Sequence, residues 1–132
     1  MNSQFITLSK TCSRLTTQTY STSFTLGIQT LHSELHDPIY SIYGFVRFAD
    51  EIVDSFHEYD KYKLLKEFEN DCFNAIRDKI SLNPILNSFQ HVVNQYNIDH
   101  NLIKYFLKSM YMDLETIDYD QKNYEKYILG SA

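Results

Sequence analysis

The fold is decided by residues 37–56, which read DPIYSIYGFVRFADEIVDSF. Asp37 and Pro38 are typical of a helix start, because aspartate can cap the first turn and proline fits the first helical position. Nothing after them breaks a helix before Phe56, apart from a tolerable Gly44. The stretch therefore predicts a helix over residues 38–56, roughly 28 Å long at a rise of about 1.5 Å per residue.

The rest of the chain repeats the same helical spacing of apolar residues. Helices are predicted over residues 4–19, 61–82, 84–96 and 100–115, with a short one from Ser21 or Ser23 and a last one from Asn123 or Tyr124. Residues 118–120 are predicted to form a loop. The apolar residues expected on the buried faces are Phe5, Leu8, Cys12 and Leu15 in the first helix, Leu64, Leu65, Phe68, Cys72, Ile76 and Ile80 in the helix from residue 61, Ile85, Leu86, Phe89, Val92 and Val93 in the next, and Leu102, Ile103, Phe106, Met110 and Leu114 after that.

A length of 132 residues fits one domain and not two, and the composition indicates an all-α structure. Three glycines and two prolines are too few for the tight turns of an all-β fold. Twelve basic and 17 acidic residues give a net charge of −5, which argues against a nucleic-acid partner. Two distant cysteines form neither a disulfide framework nor a zinc pattern, and no signal peptide or apolar run of membrane-spanning length is present. The predicted location is the cytoplasm.

Four polar residues of the central helix share one narrow stripe. At about 3.6 residues per turn, Tyr43, Arg47, Asp50 and Asp54 fall within about 60° of one another. Two carboxylates one turn apart repel, and the C-terminal half of a helix disfavours anions. A cation should offset this, and both Arg47 and a bound Mg²⁺ would supply one.

Each of these features has a plainer interpretation. Glu51 and Ser55 extend the polar arc, so the stripe is also what a solvated helix face looks like. The run from Ser21 to Phe24 offers hydroxyls and free backbone N–H groups for an anion, yet a simple serine cap has the same sequence. His32 and His36 are spaced for a metal but lack an evident third ligand, which favours surface histidines.

The combination of these pieces resembles the squalene/phytoene synthase family of head-to-head trans-prenyltransferases. Tyr20-Ser21-Thr22-Ser23-Phe24 is followed, eighteen residues later, by Tyr43-Gly44-Phe45-Val46-Arg47-Phe48-Ala49-Asp50-Glu51-Ile52-Val53-Asp54. The family pattern is Ser-x-Ser-Phe and then Tyr-x-x-x-Arg-x-x-Asp-x-x-x-Asp at about this distance. Met112-Asp113-Leu114 and Tyr127-Ile128-Leu129-Gly130-Ser131-Ala132 are similar to later family segments.

The resemblance implies an all-α isoprenoid synthase bundle around a deep cavity that holds two prenyl diphosphates. Asp50 and Asp54 would then bind Mg²⁺, or Mn²⁺ in its place, and Arg47 would contact a diphosphate. The remaining implied substrate contacts are Ser21, Ser23 and Phe24 at the diphosphate end, and Tyr43 and Tyr127 in the pocket.

The implied reaction is the joining of two geranylgeranyl diphosphates to phytoene through a cyclopropyl diphosphate, in carotenoid biosynthesis. A squalene-type synthase acting on farnesyl diphosphate, with NADPH as reductant, is the alternative, and a non-catalytic scaffold is another. A head-to-tail prenyltransferase is disfavoured because Glu51 interrupts Asp-Asp-x-x-Asp. Because the implied product is a hydrophobic hydrocarbon, we also expect peripheral contact with a membrane.

The chain departs from the family pattern at several points. Thr22 stands where many members carry Lys or Arg, and Leu129 replaces a common aromatic residue. The second aspartate-rich helix of the family would lie beyond Ala132. The resemblance therefore implies that this sequence is the N-terminal half of the domain, and that residues 1–132 alone are inactive and leave apolar faces bare.

Overall fold

The computed structural model describes the backbone of residues 3–131 and the side chains of residues 3–116. Its helices are α1 (Ser3–Tyr20), α2 (Thr22–Gln29), α3 (His36–Ser55), α4 (Lys61–Asp78), α5 (Pro84–Tyr96) and α6 (His100–Ser131), and a 3-10 turn (Ser33–Leu35) precedes α3. The described backbone contains no strand, so the predicted all-α fold is confirmed. None of the helices searched over the described residues is long and apolar enough to cross a membrane.

Three predicted helix starts are confirmed by their caps. The Ser21 hydroxyl accepts the Phe24 N–H at 3.1 Å, and the Asp60 carboxylate accepts the Lys63 N–H at 3.1 Å. Asn83 caps α5 through the N–H groups of its first turn, at 3.0 and 3.2 Å. Each cap supplies an acceptor to a backbone donor that has no partner within its helix.

The predicted cap of α3 is wrong. The helix begins at His36, and Leu35 at the cap position makes no side-chain hydrogen bond. The 3-10 turn runs straight into α3, so the backbone is already wound when it reaches Asp37. Asp37 instead lies in the first turn, where its charge complements the helix dipole.

Two predicted helix boundaries on the C-terminal side are also wrong. Lys79 takes a left-handed conformation with φ of 59°, which ends α4 at Asp78 and leaves Ile80 exposed. The expected loop at residues 118–120 is part of α6. Since residues 116–129 contain no glycine or proline, each unfavourable residue there costs only a few tenths of a kcal/mol.

An aromatic cluster at the centre of the core joins α3 to α4, α5 and α6. The Phe45 ring stacks on Phe89 with 4.0 Å between centroids and on Phe68 with 5.4 Å. Most of the apolar residues predicted for the faces of α4, α5 and α6 are buried with it, whereas Leu102 is exposed. The apolar periodicity of these helices therefore predicts most of the core.

The buried face of α1 differs from the predicted one. Ser9, Ser13 and Thr17 are fully buried, whereas Leu8 and Leu15 are more than half exposed. The hydroxyls of Ser9 and Thr17 donate to the carbonyls four residues back, at 2.9 and 3.0 Å, so their burial leaves those donors satisfied. The prediction failed because α1 packs through small polar side chains, which an apolar pattern does not reveal.

Small residues let α1 and α3 approach each other closely. A Cβ atom added to Gly44 would lie 3.2 Å from the Ser13 Oγ and 3.4 Å from its Cβ. That separation is tight for any residue larger than glycine, so Gly44 allows this crossing. The contact brings the C-terminal end of α1 against the polar stripe of α3.

A buried ladder of amides also fixes α1 against α5. Asn87 donates from Nδ2 to the Ser9 Oγ at 3.1 Å, and its Oδ1 accepts from the Ser81 N–H and from Gln90 Nε2 at 3.1 Å each. Asn94 then donates to Gln90 Oε1 at 2.9 Å. These satisfied polar groups set the register of α1, because any slip would leave buried donors unpaired.

Candidate functional site

The two sequence elements that carry the resemblance meet in space. Ser21 is the cap of α2, and the Phe24 ring of the same helix stacks on Tyr43 of α3, with 5.0 Å between centroids and 28° between planes. Ser23 lies in the first turn of α2 and is exposed. The structure therefore brings Phe24 against the Tyr43 end of the stripe, while Ser21 and Ser23 lie at the start of the same helix.

Arg47 lies at the middle of the stripe, and its side chain is 19% exposed. Its Nη2 donates to Glu51 Oε2 at 2.8 Å, while its Nη1 is 4.0 Å from Asp50 Oδ2, which is longer than a hydrogen bond. Its Nε is buried without a hydrogen-bond partner. A buried donor left unpaired is costly, so the Arg47 Nε is a polar group whose burial the described contacts leave unexplained.

The guanidinium is held in its charged form. Burial lowers the pKa of Arg47, but the hydrogen bond that it donates to Glu51 and the charges of Glu51, Asp50 and Asp54 outweigh it and raise the pKa overall. Arg47 thus keeps a positive charge beside three acids.

Tyr20 completes the surroundings of Arg47. Its ring centroid lies 4.6 Å from the guanidinium carbon, a distance typical of a cation–π contact. A hydrogen bond to Glu51 is the main reason that the pKa of the Tyr20 hydroxyl is raised. The Glu51 carboxylate accepts the hydrogen bond from Arg47, and this bond is the main reason that the pKa of Glu51 is lowered.

The two stripe carboxylates differ in environment. Burial is the main cause that raises the pKa of Asp50; Arg47 opposes it, and the charges of Asp54 and Asp113 add to it. Asp54, one turn further along, is exposed. Asp113 extends from α6, so a second helix adds negative potential to the same place.

This donor set fits Mg²⁺ better than a closed metal centre. Among the described residues, no group of three or more His, Cys, Asp and Glu side chains could hold a metal ion. Mg²⁺ needs only one or two protein carboxylates, because water and phosphate oxygens complete its shell. Asp50 and Asp54 offer oxygen ligands alone, which is the preference of this ion.

The histidine pair does not look like a metal site. His32 Nδ1 accepts the Glu34 N–H at 3.3 Å, and His36 Nε2 donates to the Leu31 carbonyl at 2.9 Å. Both rings are engaged by the backbone of the turn that leads into α3, which supports the plainer interpretation.

An apolar cavity of about 250 Å³ lies between α3, α5 and α6. Ile42 and Val46 line it from α3, on one side of the stripe, and Leu102 and Phe106 line it from α6. Drug-sized ligands occupy about 300–1,000 Å³, so this volume suits a segment of an apolar chain. The polar stripe and the apolar cavity therefore lie next to each other on α3.

Three residues of the site were not singled out from the sequence. Glu51 had a signal, since it follows Arg47 by four residues and so faces it on a helix. Tyr20 and Asp113 stood in the family-like segments Tyr20-Ser21-Thr22-Ser23-Phe24 and Met112-Asp113-Leu114, but no role was predicted for either residue, because only the packing of α1 and α6 brings them to α3. The predicted pocket residue Tyr127 has its side chain outside the described residues.

The family model for squalene/phytoene synthase matches residues 17–132, from the end of α1 through α6. No curated protein and no solved structure matched the chain. The family match covers both motifs of the site and most of the sequence. The chain therefore belongs to the squalene/phytoene synthase family.

Proposed function

We propose that this protein joins two geranylgeranyl diphosphates head to head to form phytoene, in a reaction that depends on Mg²⁺. Family membership supports head-to-head condensation of prenyl diphosphates in general. The observation that carries the proposal is the meeting of an unpaired Arg47 Nε with the Asp50 and Asp54 carboxylates, next to an apolar cavity.

The polar side of the site suits the leaving group. Cleavage of the allylic carbon–oxygen bond releases pyrophosphate, whose charge must be stabilised as it develops. Arg47 would donate to it from Nε, and Mg²⁺ held by Asp50 and Asp54 would neutralise part of its charge. Ser23, in the first turn of α2, would contact the same leaving group, as the family resemblance implies.

The apolar side suits the carbocation. Loss of pyrophosphate leaves an allylic cation, and the apolar cavity is lined by the rings of Phe45, Phe89 and Phe106, with no strong nucleophile among its lining residues. The double bond of the second substrate attacks this cation, and proton loss closes the cyclopropyl diphosphate. A second ionisation and rearrangement, ended by another proton loss, gives phytoene without a reductant.

The test measures product formation by the full-length protein from labelled geranylgeranyl diphosphate. We expect phytoene only when Mg²⁺ is present, and a loss of at least about 100-fold in kcat/KM for Asp50→Asn and Asp54→Asn, as for removal of a group that stabilises transition-state charge. Asp71→Asn, on an exposed part of α4, is the matched control and should keep its activity. Undiminished turnover by Asp50→Asn would contradict the proposal.

The same assay separates the other candidates. A squalene-type enzyme would prefer farnesyl diphosphate and need NADPH to finish the product. A non-catalytic scaffold would give no product with either substrate. Mg²⁺ with inorganic pyrophosphate would also leave a scaffold's melting temperature unchanged, whereas a specific site filled at 100 times its Kd adds about 2.7 kcal/mol of stability.

A further inference from the structure

We infer that Tyr20 and Glu51 are positioning residues that hold the Arg47 guanidinium in place and keep it away from Asp50, so that both remain free for a diphosphate and its cation. This inference rests on the proposed function. It assigns a role to two side chains that lie outside the Tyr-x-x-x-Arg-x-x-Asp-x-x-x-Asp pattern.

The first step is the position of Arg47 between two acids. Glu51 and Asp50 lie four and three residues after it, so both can reach it on the helix. The guanidinium hydrogen-bonds Glu51 at 2.8 Å and stays 4.0 Å from Asp50. Glu51 is therefore the closer of the two counter-ions, and Asp50 pairs with the guanidinium only at the outer limit of an ion pair.

The second step is the covering of one face. The centroid of the Tyr20 ring lies 4.6 Å from the guanidinium carbon, so the ring on one face and the hydrogen bond to the Glu51 carboxylate restrain Arg47 together. An arginine side chain has much rotamer freedom to lose. Two restraints of this kind lower the entropy that must be lost when an anion arrives.

The third step concerns the guanidinium donors that these restraints leave unpaired. The Arg47 Nε is buried and unpaired, and Nη1 lies beyond hydrogen-bond distance of the Asp50 carboxylate. An ordinary i, i+4 ion pair on a helix surface would have solvent at its remaining donors. Here the guanidinium is held on one side and unsatisfied on another, which is the arrangement expected of a preorganised anion site.

The experiment compares four variants of the full-length protein. Glu51→Gln and Tyr20→Leu should each lower kcat by about tenfold, within the range for a lost charged hydrogen bond or cation–π contact. Tyr20→Phe keeps the aromatic ring over the guanidinium, so kcat should fall by no more than about threefold, since the cation–π contact is retained. Tyr105→Leu, an exposed tyrosine on α6, is the control and should be unchanged.

A second control matches Glu51. Glu69 forms the same kind of ion pair with Lys66, at 2.8 Å, on α4. Glu69→Gln removes that pair far from the stripe and should leave kcat unchanged. If it lowers kcat as much as Glu51→Gln does, loss of stability explains both and the inference is wrong.

A double-mutant cycle tests whether the effect passes through Arg47. In an Arg47→Lys background, Tyr20→Leu should add less than about twofold, because the planar cation that it restrains is already gone. Full additivity of the two losses would overturn the positioning role, even with the proposed reaction intact.

A spectroscopic signature keeps the inference separate from the proposed function. The ¹⁵N–¹H resonance of Arg47 Nε, assigned by its loss in Arg47→Lys, should be sharp and should shift when Mg²⁺ and inorganic pyrophosphate are added. Glu51→Gln and Tyr20→Leu should broaden it and remove the shift. A protein without turnover contradicts the proposed function alone, whereas an unaltered resonance in both variants contradicts the positioning role.

Discussion

On one side of α3 the Phe45 ring is stacked between Phe89 and Phe68, whereas on the other side Gly44 faces the small side chain of Ser13. The aromatic side is held by burial of large apolar surface. The α1 side is held by a close approach of two backbones and by a ladder of buried amides. One helix thus packs on one side through large aromatic side chains and on the other side through small residues.

The largest expected effect is on the aromatic side. Phe45→Ala should lower the free energy of unfolding by about 3–5 kcal/mol, because it empties a stacked and fully packed position. Chemical denaturation of the full-length protein measures this. Leu15→Ala is the control on α1, where a residue predicted to be buried is 60% exposed, and should change stability by no more than about 0.5 kcal/mol. Equal losses of unfolding free energy in the two variants would show that the aromatic side is not more tightly packed than the α1 side.

The two cysteines differ in burial and therefore test the same comparison between the α1 side and the aromatic side. Burial, with a smaller effect from Glu69, raises the pKa of the Cys72 thiol from 9.0 to about 12. The thiolate is the reactive form, so at pH 8 the shift leaves Cys72 with about 1,000-fold less of it than an ordinary thiol. Iodoacetamide should label the partly exposed Cys12 first and Cys72 only after denaturation. Prompt labelling of Cys72 in the folded protein would show that the aromatic side opens to solvent.

The next largest expected loss of stability comes from breaking the amide ladder on the α1 side. Asn87→Ala should cost about 2–3 kcal/mol, since it strips partners from the Ser81 N–H, from Gln90 and from Ser9. Asn70→Ala, at an exposed position of α4, should be neutral or stabilising by a few tenths of a kcal/mol. A cost for Asn87→Ala no larger than for Asn70→Ala would mean that water replaces the lost partners.

The contrast also separates what the sequence can reveal from what it cannot. The bounds of α5 were predicted correctly, because a capping asparagine and a proline physically determine where that helix begins. The buried face of α1 was not, because its close contact depends on Gly44, which is 31 positions beyond Ser13 and carries no apolar signal.

The candidate site shows the same division. Spacing along one helix placed Tyr43, Arg47 and Asp50 on one stripe, since helix geometry alone decides that. The cation–π contact of Tyr20 required the crossing of α1 over α3, which only the packed structure supplies. The roles predicted for the stripe residues stay predictions until the Asp50 and Asp54 variants are assayed.

The smallest expected effect concerns the close contact itself. Gly44→Ala gains about 1 kcal/mol of helix propensity. In the native sequence the new Cβ would lie 3.2 Å from the Ser13 Oγ, and this crowding should cancel the gain. Ser13→Ala removes that oxygen, which is buried without a hydrogen-bond partner, and should itself be neutral or slightly stabilising.

The decisive quantity is the coupling between the two substitutions. In the Ser13→Ala background the nearest remaining atom is at 3.4 Å, so Gly44→Ala should now stabilise the protein by about 1 kcal/mol. At Gly27 an added Cβ meets nothing within 4 Å. Gly27→Ala should therefore stabilise the protein equally in the native sequence and in the Ser13→Ala background. If Gly44→Ala behaves like Gly27→Ala in both backgrounds, α1 and α3 are free to separate. The Tyr20 ring would then lack the fixed crossing that holds it over Arg47.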